Sequence, residues 1–341
     1  MNMRVIANRF EWGEHVEELG AHPLQSWQWG SLKEKTGPWT AYRVMCEEDG
    51  AWVGGAQVLV RALPGPVGGL AYVPRGPFAA HEERLPEVAD AVADWCKRNL
   101  RVISVKIEPA VTELALSDGW VPSEHALIAK TATIDLTRTE DQIMQGIPNR
   151  KCRQYIRKAG RDGVTCRPGT EDDLDQILAM YHATAEADGF ALHADEFYRA
   201  AFTELEGVGQ LFVSEYEGRM QSFLWNVTTS GTAFELWGAV CDEGKRTRAN
   251  YLLKWEAIKA AKERGAVLYD MNGLLNDGIS DFKLLFSKDP VYWVGTFDKP
   301  LSRLYGLMNK ALELNRRRNT ADNAQEDTSD VREGDARGET R

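Results

Sequence analysis

Alternating apolar and polar residues mark two hairpins, one in each half of the chain. The first alternates over Glu47–Val60 and turns at Asp49-Gly50, and the second alternates over Val213–Val227 and turns at Glu217-Gly218. An acidic residue followed by glycine between two alternating runs is typical of a tight β-hairpin turn. Because the two hairpins match in kind and in order, they predict an internal repeat.

The same series of elements follows each hairpin. A strand candidate comes first, then an amphipathic helix, then a run of branched and aromatic residues that favours a strand. These segments are Gly69–Val73, Glu83–Asn99 and Arg101–Ile107 in the first half, and Ala233–Val240, Asn250–Arg264 and Ala266–Met271 in the second. The order resembles that of the acetyltransferase-like (GNAT) fold. We therefore expect an α+β protein with two tandem GNAT-like domains, whose mixed sheets are flanked by helices.

Chain length and a change of pattern indicate the domain boundaries. A single core rarely grows beyond ~250–300 residues, so a chain of 341 residues favours two domains. The strand-like Thr131–Leu136 is followed by a helix start at Thr139. We expect a first domain over 1–138 and a second over 139–318. Residues 319–341 have seven acids, three arginines and no aromatic residue, a composition typical of a disordered tail.

Composition and charge narrow the class of protein. The chain is 43% hydrophobic and 27% charged, as ordinary globular proteins are. Its formal charge of -10 argues against general DNA binding, which depends on lysine and arginine at phosphates. The sequence shows neither a secretory leader nor ~20 consecutive apolar residues, so we expect a cytoplasmic protein. Five scattered cysteines and six histidines lack the spacing of metal ligands, so no metal is expected.

The densest basic segment is Arg150–Arg161, with six basic residues and no acid. In a helix, four of its positions would share one face: Arg150, Arg153 or Gln154, Arg157 and Arg161. Guanidinium groups offer a planar fork that suits phosphate oxygens. A solvated helix face is the alternative, because many runs of charge only add solubility.

A second candidate lies late in the chain, where a strand over Leu268–Leu274 leads into a glycine-containing loop and then a short helix over Gly278–Phe286. Lys283 stands in that helix directly after Phe282 and before three apolar residues. Such a lysine either extends outward to water or turns into a desolvated cleft. The pattern alone leaves both orientations open.

Five motifs in this order resemble the Fem peptidoglycan-bridge aminoacyltransferases (FemABX). They are Gln25–Lys33, Tyr72–Pro77, Lys106–Pro109, Arg153–Val164, and a late group made of Tyr269-Asp270, Asn272-Gly273, Phe282-Lys283 and Phe286-Ser287. Ser287 stands where many members carry glycine. The resemblance runs from about Leu24 to Pro300. Val213–Arg264 leaves no room for the helical-hairpin, coiled-coil arm of some members, so the chain is similar to the compact, FemX-like form.

The resemblance implies a transferase that moves an amino acid from aminoacyl-tRNA to the stem-peptide amine of UDP-MurNAc-pentapeptide or lipid II. The ester is already activated, so no cofactor is implied. Aminolysis passes through an oxyanion that a fixed positive charge stabilises. By this resemblance Lys283 would supply the charge, Phe282 would form the adjacent wall, and Asp270 or Glu108 would move a proton or orient the amine. Helix capping is the alternative for such carboxylates.

The resemblance also implies residues that hold the acceptor. Lys33, Arg157 and Lys158, together with Arg75, are the candidates for its diphosphate. Four further residues would line a sugar or peptide groove, with core or plain surface positions as the alternative: Trp29, Trp237, Asn250 and Tyr251. A lipid-linked acceptor would bring peripheral contact with a membrane.

Two other classes of function stay open on the sequence. The fold order also suits an acyl-CoA N-acetyltransferase, although the loops Pro74–His81 and Cys241–Ala249 lack the closely spaced glycines that hold a pyrophosphate at a helix N-terminus. A non-catalytic protein that binds RNA or a nucleotide through the basic segment is the second alternative. It predicts binding without turnover, and binding that survives loss of Lys283.

Overall fold

Two mixed sheets, each flanked by helices, form the frame of the protein in a computed structural model. The structure describes residues 1–275, 277–307 and 310, so the tail predicted over 319–341 lies outside the described residues. Within the described ranges, no helix combines the length and apolar character needed to cross a membrane.

The first ten elements build most of the first sheet and its helices. They are β1 (Asn2–Val5), α1 (Arg9–Glu18), α2 (Trp27–Thr36), β2 (Thr40–Glu48), β3 (Ala51–Ala62), β4 (Gly69–Val73), β5 (Phe78–Ala79), α3 (Leu85–Asn99), β6 (Val102–Ile107) and β7 (Val121–Ser123). The remaining strand of this sheet comes from the far end of the chain, and the order is β1-β2-β3-β4-β6-β15-β7, with β5 paired to β3. β4 and β6 are parallel neighbours, and the other pairs are antiparallel.

The later elements build the second sheet and its helices, except for β15, which joins the first sheet. They are β8 (Lys130–Asp135), α4 (Glu140–Gly146), α5 (Arg150–Arg161), β9 (Thr165–Pro168), α6 (Leu174–Asp188), α7 (Asp195–Glu204), β10 (Gly209–Tyr216), β11 (Arg219–Thr228), β12 (Thr232–Val240), α8 (Asp242–Thr247), α9 (Ala249–Glu263), β13 (Leu268–Asp270), α10 (Gly278–Leu284), β14 (Pro290–Tyr292) and β15 (Thr296–Pro300). The strand order is β14-β8-β13-β12-β11-β10-β9. Here β12 and β13 are the parallel neighbours.

The predicted internal repeat is confirmed. β2–β3 and β10–β11 are antiparallel hairpins whose turns hold two residues at positive φ: Asp49 and Gly50 in the first, and Glu217 and Gly218 in the second. Two left-handed residues are what a two-residue turn needs to follow the strand twist. Each hairpin leads through a strand and a 15-residue helix, α3 or α9, into a parallel strand. The prediction of two GNAT-like folds is therefore confirmed.

No described helix is longer than 15 residues, so the described part of the chain has no coiled-coil arm, as expected. α3 packs its apolar side on the first sheet, around Val92, Val105 and Ile107. α9 packs on the second sheet together with α4 and α5, around Ile156 and Ile258. Burying such side chains contributes about 1.5–3 kcal/mol each.

The two sheets exchange strands across the division predicted at residue 138. β8, which precedes that residue, pairs with β13 in the second sheet, whereas β15 pairs with β6 in the first. The segment 124–129, which links β7 to β8, therefore passes from one sheet to the other. The boundaries 1–138 and 139–318 remain a prediction about folding units, and they do not coincide with the composition of the sheets.

Close contacts fix the two halves against each other along one edge. Thr229, after β11, donates to the carbonyl of Ala21 at 2.7 Å, and the amide of Ser230 donates to the Glu17 carboxylate at 2.6 Å. A Cβ on Gly231 would lie only 2.0 Å from the carbonyl oxygen of Gly20, so the backbones touch where no side chain fits. A single apolar cluster also joins Leu32 of α2 to Tyr198 of α7. The two halves are therefore fixed against each other along this edge.

Candidate active site between the two halves

A buried carboxylate organises the loop that follows β13. One oxygen of Asp270 accepts hydrogen bonds from the hydroxyl of Thr131 at 2.5 Å and from the amide of Asn272 at 2.8 Å. The other oxygen has no partner within the described chain. Burial raises the pKa of Asp270, and the bond from Thr131 and the charge of Arg75 oppose that rise. Asp270 thus holds the loop through one oxygen, and its other oxygen could accept a hydrogen bond from a ligand.

Lys283 of α10 turns inward onto this loop. Its Nζ donates to the carbonyl oxygens of Asn272, at 2.5 Å, and Gly273, at 3.0 Å. Of the two orientations that the sequence left open, the inward one holds. Burial lowers the pKa of Lys283 to about 8. Two of the three N–H bonds of the ammonium are committed to the loop, which leaves the third for a ligand.

Aromatic rings cluster around Phe282, the residue directly before Lys283. Phe282 meets Tyr251 of α9 edge to face, with ring centroids 5.0 Å apart, and meets Phe286 at 5.4 Å. Tyr155 of α5 lies against the other side of Tyr251 at 5.2 Å. Four predicted site residues, Lys283, Phe282, Asp270 and Tyr251, therefore lie in one region of the second half.

A buried ion pair between Lys254 and Glu235, which the sequence analysis missed, lies next to these rings. Nζ of Lys254 lies 2.7 and 2.9 Å from the two oxygens of Glu235, and the hydroxyl of Tyr269 donates to the same carboxylate at 2.8 Å. The Lys254 ammonium also lies 5.3 Å from the centroid of Phe282. Its signal in the sequence was available, because Lys254 stands between Leu253 and Trp255 in an apolar run, as Lys283 does.

In the first half, Glu108 is fully engaged in hydrogen bonds. It follows β6 and accepts from the amides of Ala126 and Leu127, at 2.7 and 3.1 Å, and from the hydroxyls of Thr296 and Tyr72. These four donors hold the segment 124–129 and the start of β15 in place. Burial and the neighbouring carboxylate raise the pKa of Tyr72 well above its usual value.

Arg75 lies between the carboxylates of the two halves. Its side chain is buried, it donates to the carbonyl of Ile128 at 2.9 Å, and its backbone has a positive φ of 49°. Burial lowers its pKa, while the charges of Asp270 and Glu108 oppose that fall. The guanidinium thus makes an internal contact through one nitrogen, and its role as a ligand for a diphosphate stays a prediction.

A second group of predicted residues lies where α2 meets α7. Nζ of Lys33 sits 5.0 Å from the centroid of Trp29 and 5.5 Å from that of Phe197, so its charge faces rings from both halves. Burial lowers the pKa of Lys33. Trp237 packs edge to face against Phe197 at 5.7 Å. One group, called here the aromatic basin, is therefore formed by Lys33, Trp29 and Trp237. Within it Trp29 is buried, with 8% of its surface exposed.

The chain is similar to known proteins in sequence and in fold. Residues 149–284 match a family model described as an acetyltransferase (GNAT) domain. The lipid II:glycine glycyltransferase of Staphylococcus epidermidis is 22% identical over 392 aligned residues, which cover 87% of this chain and 93% of that protein. The same enzyme of Staphylococcus aureus is 23% identical over 59% of this chain and 52% of its own length.

Among solved structures, FemX superimposes with a TM-score of 0.78 at 20% identity, over 90% of this chain and 99% of that one. The structure of L-PGS from Bacillus licheniformis shares the fold more distantly, with a TM-score of 0.53 at 16% identity, over 91% and 96% of the two chains. The chain is therefore similar, over most of its length, to a lipid II:glycine glycyltransferase in sequence and to FemX in fold.

The basic helix α5 does not bring all its predicted ligands to the ring cluster. Arg157 and Lys158 are exposed, and Lys158 forms an ion pair with Asp162. Tyr155, two residues before Arg157, faces the cluster, so Arg157 points roughly 200° away around the helix. Arg157 instead lines a surface groove between α5 and α9.

The sequence analysis missed a residue on the side of α5 that faces the ring cluster. The guanidinium of Arg248 lies 4.6 Å over the ring of Tyr155, close to the cluster that contains Phe282. Asn250, one of the predicted residues, is partly buried near the start of α9, and its Oδ1 has no partner within the described chain. A helical wheel of α5 would have placed Tyr155 opposite the arginines, but it would not have shown which side faces inward.

Nothing in the described part of the chain gathers three side chains of the kinds that ligate metals. What the region offers is a partly desolvated ammonium, a buried carboxylate with a spare oxygen, and an aromatic enclosure. Such an arrangement can stabilise developing negative charge on an oxygen and exclude water around it.

Proposed function

We propose that the protein transfers an amino acid from aminoacyl-tRNA to the stem-peptide amine of a peptidoglycan precursor, either UDP-MurNAc-pentapeptide or lipid II. The observation that carries the proposal is Lys283, whose ammonium is turned inward and keeps one N–H free beside the loop after β13. Its support comes from the likeness, over most of both chains, to enzymes named lipid II:glycine glycyltransferases. The cytoplasm, which holds charged tRNA, is the compartment that this function requires.

The proposed reaction is aminolysis of an ester. The amine nitrogen attacks the ester carbonyl, a C–N bond forms, and the C–O bond to the terminal ribose breaks. The amine loses a proton and the ribose leaves as a free hydroxyl, so no oxidant and no further cofactor enters. In the tetrahedral intermediate the former carbonyl oxygen carries the negative charge. The third N–H of Lys283 stabilises that oxygen, an effect worth ~3–4 kcal/mol per donor.

The loop after β13 acts by holding the ammonium. Asp270 anchors the amide of Asn272, and the carbonyls of Asn272 and Gly273 fix two N–H bonds of Lys283. Phe282 and Tyr251 cover one side of the site. Because Lys283 is largely buried, its charge acts at a lower effective dielectric than in bulk solvent. Asp270 is therefore proposed as a positioning residue for Lys283.

The acceptor is proposed to bind toward the first half. Lys33 carries a positive charge at the aromatic basin, where the partly exposed ring of Trp237 provides an apolar face for a sugar or a peptide and the buried Trp29 supports Lys33. Glu108 has no such role in this proposal, because its two oxygens already accept four hydrogen bonds. Its contribution is to hold the segment 124–129 beside the site.

Product mass tests the function directly. Purified protein is incubated with a mixture of charged tRNAs and UDP-MurNAc-pentapeptide, and in parallel with lipid II in detergent. An added aminoacyl mass on one acceptor is expected, and the increment identifies the amino acid. A third reaction replaces the tRNA with acetyl-CoA. An acetyl increment there, with no product from charged tRNA, would overturn the proposal in favour of an acetyltransferase.

A further inference from the structure

The outer face of α5 carries a stripe of arginines. With 3.6 residues per turn, Arg150, Arg157 and Arg161 all point roughly 200–240° away from Tyr155, so they share one side of the helix. All three are exposed, whereas Tyr155 is partly buried against Tyr251. The helix therefore has an aromatic side toward the site and a cationic side toward solvent.

These three arginines have no carboxylate partner within the described chain. Exposed arginines elsewhere commonly do: Arg199 pairs with Asp175, and Arg219 pairs with Glu243. In a chain of net charge -10, acids are available to neutralise basic residues. An unneutralised stripe in such a chain fits a polyanion supplied from outside.

The length of the stripe favours an extended polyanion over a small one. From the first arginine to the last, the helix rises roughly 16 Å at 1.5 Å per residue. A nucleic acid strand carries a charge about every 3.4 Å of its axis, so the stripe can contact several phosphates in a row. The two phosphates of a diphosphate are adjacent, and ligands for them would have to converge on one point. Arginines along 16 Å of helix do not converge.

The position of the stripe relates it to the reacting ester. Tyr155 touches Tyr251, Tyr251 touches Phe282, and Phe282 precedes Lys283. The stripe is on the opposite side of the same helix, whose diameter with side chains is about 10–12 Å. A ligand whose end reaches Lys283 can therefore lay its continuing backbone along α5.

We propose that Arg150, Arg157 and Arg161 form a docking surface on α5 for the phosphate backbone of the donor tRNA, away from its aminoacyl end. This proposal rests on the proposed function, because it takes aminoacyl-tRNA as the donor. It assigns Arg157 to the donor, where the family resemblance suggested the diphosphate of the acceptor.

The test compares two donors that share one ester. One is the intact aminoacyl-tRNA, and the other is a short oligoribonucleotide with the same amino acid on its 3′ end, too short to reach α5. In the double variant Arg157→Glu/Arg161→Glu, we expect the KM for intact tRNA to rise at least ~10-fold, while the KM for the short donor and for the acceptor stays unchanged. The slope of log affinity for uncharged tRNA against log salt should fall by about 2.

A matched control carries the same charge change elsewhere. Lys97→Glu/Arg98→Glu alters two exposed basic residues at the end of α3, in the first half, and should leave every KM unchanged. The milder Arg157→Gln/Arg161→Gln, together with melting curves, separates loss of contact from loss of folding. Unchanged tRNA affinity in both stripe variants would overturn the proposal and leave a solvated helix face.

Two further outcomes are decisive. An increase confined to the KM of the acceptor would overturn the proposal in favour of the diphosphate. Wild-type protein that binds uncharged tRNA through the stripe, yet transfers from neither donor, would refute the proposed function while supporting the docking surface. The binding measurement thus tests the docking surface, and the transfer measurement tests the proposed function independently.

Discussion

Two strands at equivalent places in the repeat lead to a carboxylate, and the two carboxylates are used differently. β6 is followed by Glu108 and β13 ends at Asp270, and each strand runs parallel to the strand before its helix. Both side chains are almost without exposure, at 2% and 0%. Glu108 accepts four hydrogen bonds over both oxygens, whereas Asp270 accepts two on one oxygen only.

The difference lies in what each carboxylate holds. Glu108 fixes the segment that links the two sheets, so it stabilises the assembly of the halves. Asp270 fixes a loop in which Asn272 and Gly273 have positive φ angles of 54° and 24°, and whose carbonyls accept from Lys283. A duplicated scaffold thus supplies the same strand end twice, and in the proposed mechanism the following loop decides whether the carboxylate stabilises the fold or positions Lys283.

The largest effect is expected from removing the ammonium of Lys283, in the second half. Lys283→Met keeps an unbranched apolar stem and should lower the turnover number by ~10²-fold or more, because the oxyanion loses its donor, while acceptor affinity changes little. Lys288→Met, a change of an exposed lysine a few residues later, is the control and should have no effect. Turnover by the Lys283 variant above a tenth of the wild-type value would contradict the proposed role of this residue.

The next effect concerns folding and belongs to the first half. Glu108→Gln replaces an accepting oxygen with an NH2 group that faces donors, so at least one buried donor loses its partner. We expect the free energy of unfolding to fall by about 1–3 kcal/mol in urea denaturation. The folded variant should keep more than a tenth of wild-type turnover. Glu113→Gln, at an exposed position, is the matched control. Unchanged stability would show that Glu108 does not hold the two sheets together.

Local features of the fold could be predicted from the sequence. The turns at Asp49-Gly50 and Glu217-Gly218 follow from side-chain alternation and from residues that tolerate positive φ, and both depend on neighbours in the chain. The pairing of β15 with β6, in contrast, joins Phe297 to Ile107. The pattern of apolar residues along a strand does not indicate which distant strand it pairs with. The exchange of strands across residue 138 was therefore not predicted.

The site was predictable in part for a related reason. Lys283 attracted attention in the sequence because a lysine in an apolar run either extends outward to water or turns into a desolvated cleft. Only the structure shows that it turns inward. The same argument applied to Lys254 would have flagged its buried pair with Glu235. Arg157 was assigned by helical spacing, which groups residues on a face but does not show whether that face points to the cleft.

A pH profile sharpens the comparison, because the lysine of the second half titrates near the working range. Burial lowers the pKa of Lys283 to about 8, so its ammonium is present below that pH and is lost as pH rises through it. If the ammonium acts, turnover should fall about tenfold for each pH unit above 8. Lys283→Arg keeps its charge there, and its alkaline decline should disappear, whatever its absolute rate. An alkaline decline with the same midpoint in both proteins would assign the titration to another group.

The smallest effect is expected at the second carboxylate itself. Asp270→Asn keeps an oxygen that accepts from Thr131 and from the amide of Asn272, so the loop should continue to hold Lys283. Burial already disfavours the charge of Asp270, as its raised pKa indicates, and losing that charge should cost little. We therefore expect turnover to fall by less than ~10-fold, under ~1.4 kcal/mol.

Asp270→Ala removes both bonds and should reduce turnover further, because the carbonyls that hold Lys283 are released. If Asp270 were instead the general base, Asn and Ala would be equally damaging, each by the ~10²-fold or more typical of such a group. Steady-state kinetics on the two variants, at a pH where both remain folded, separates a carboxylate that positions the loop from one that moves a proton.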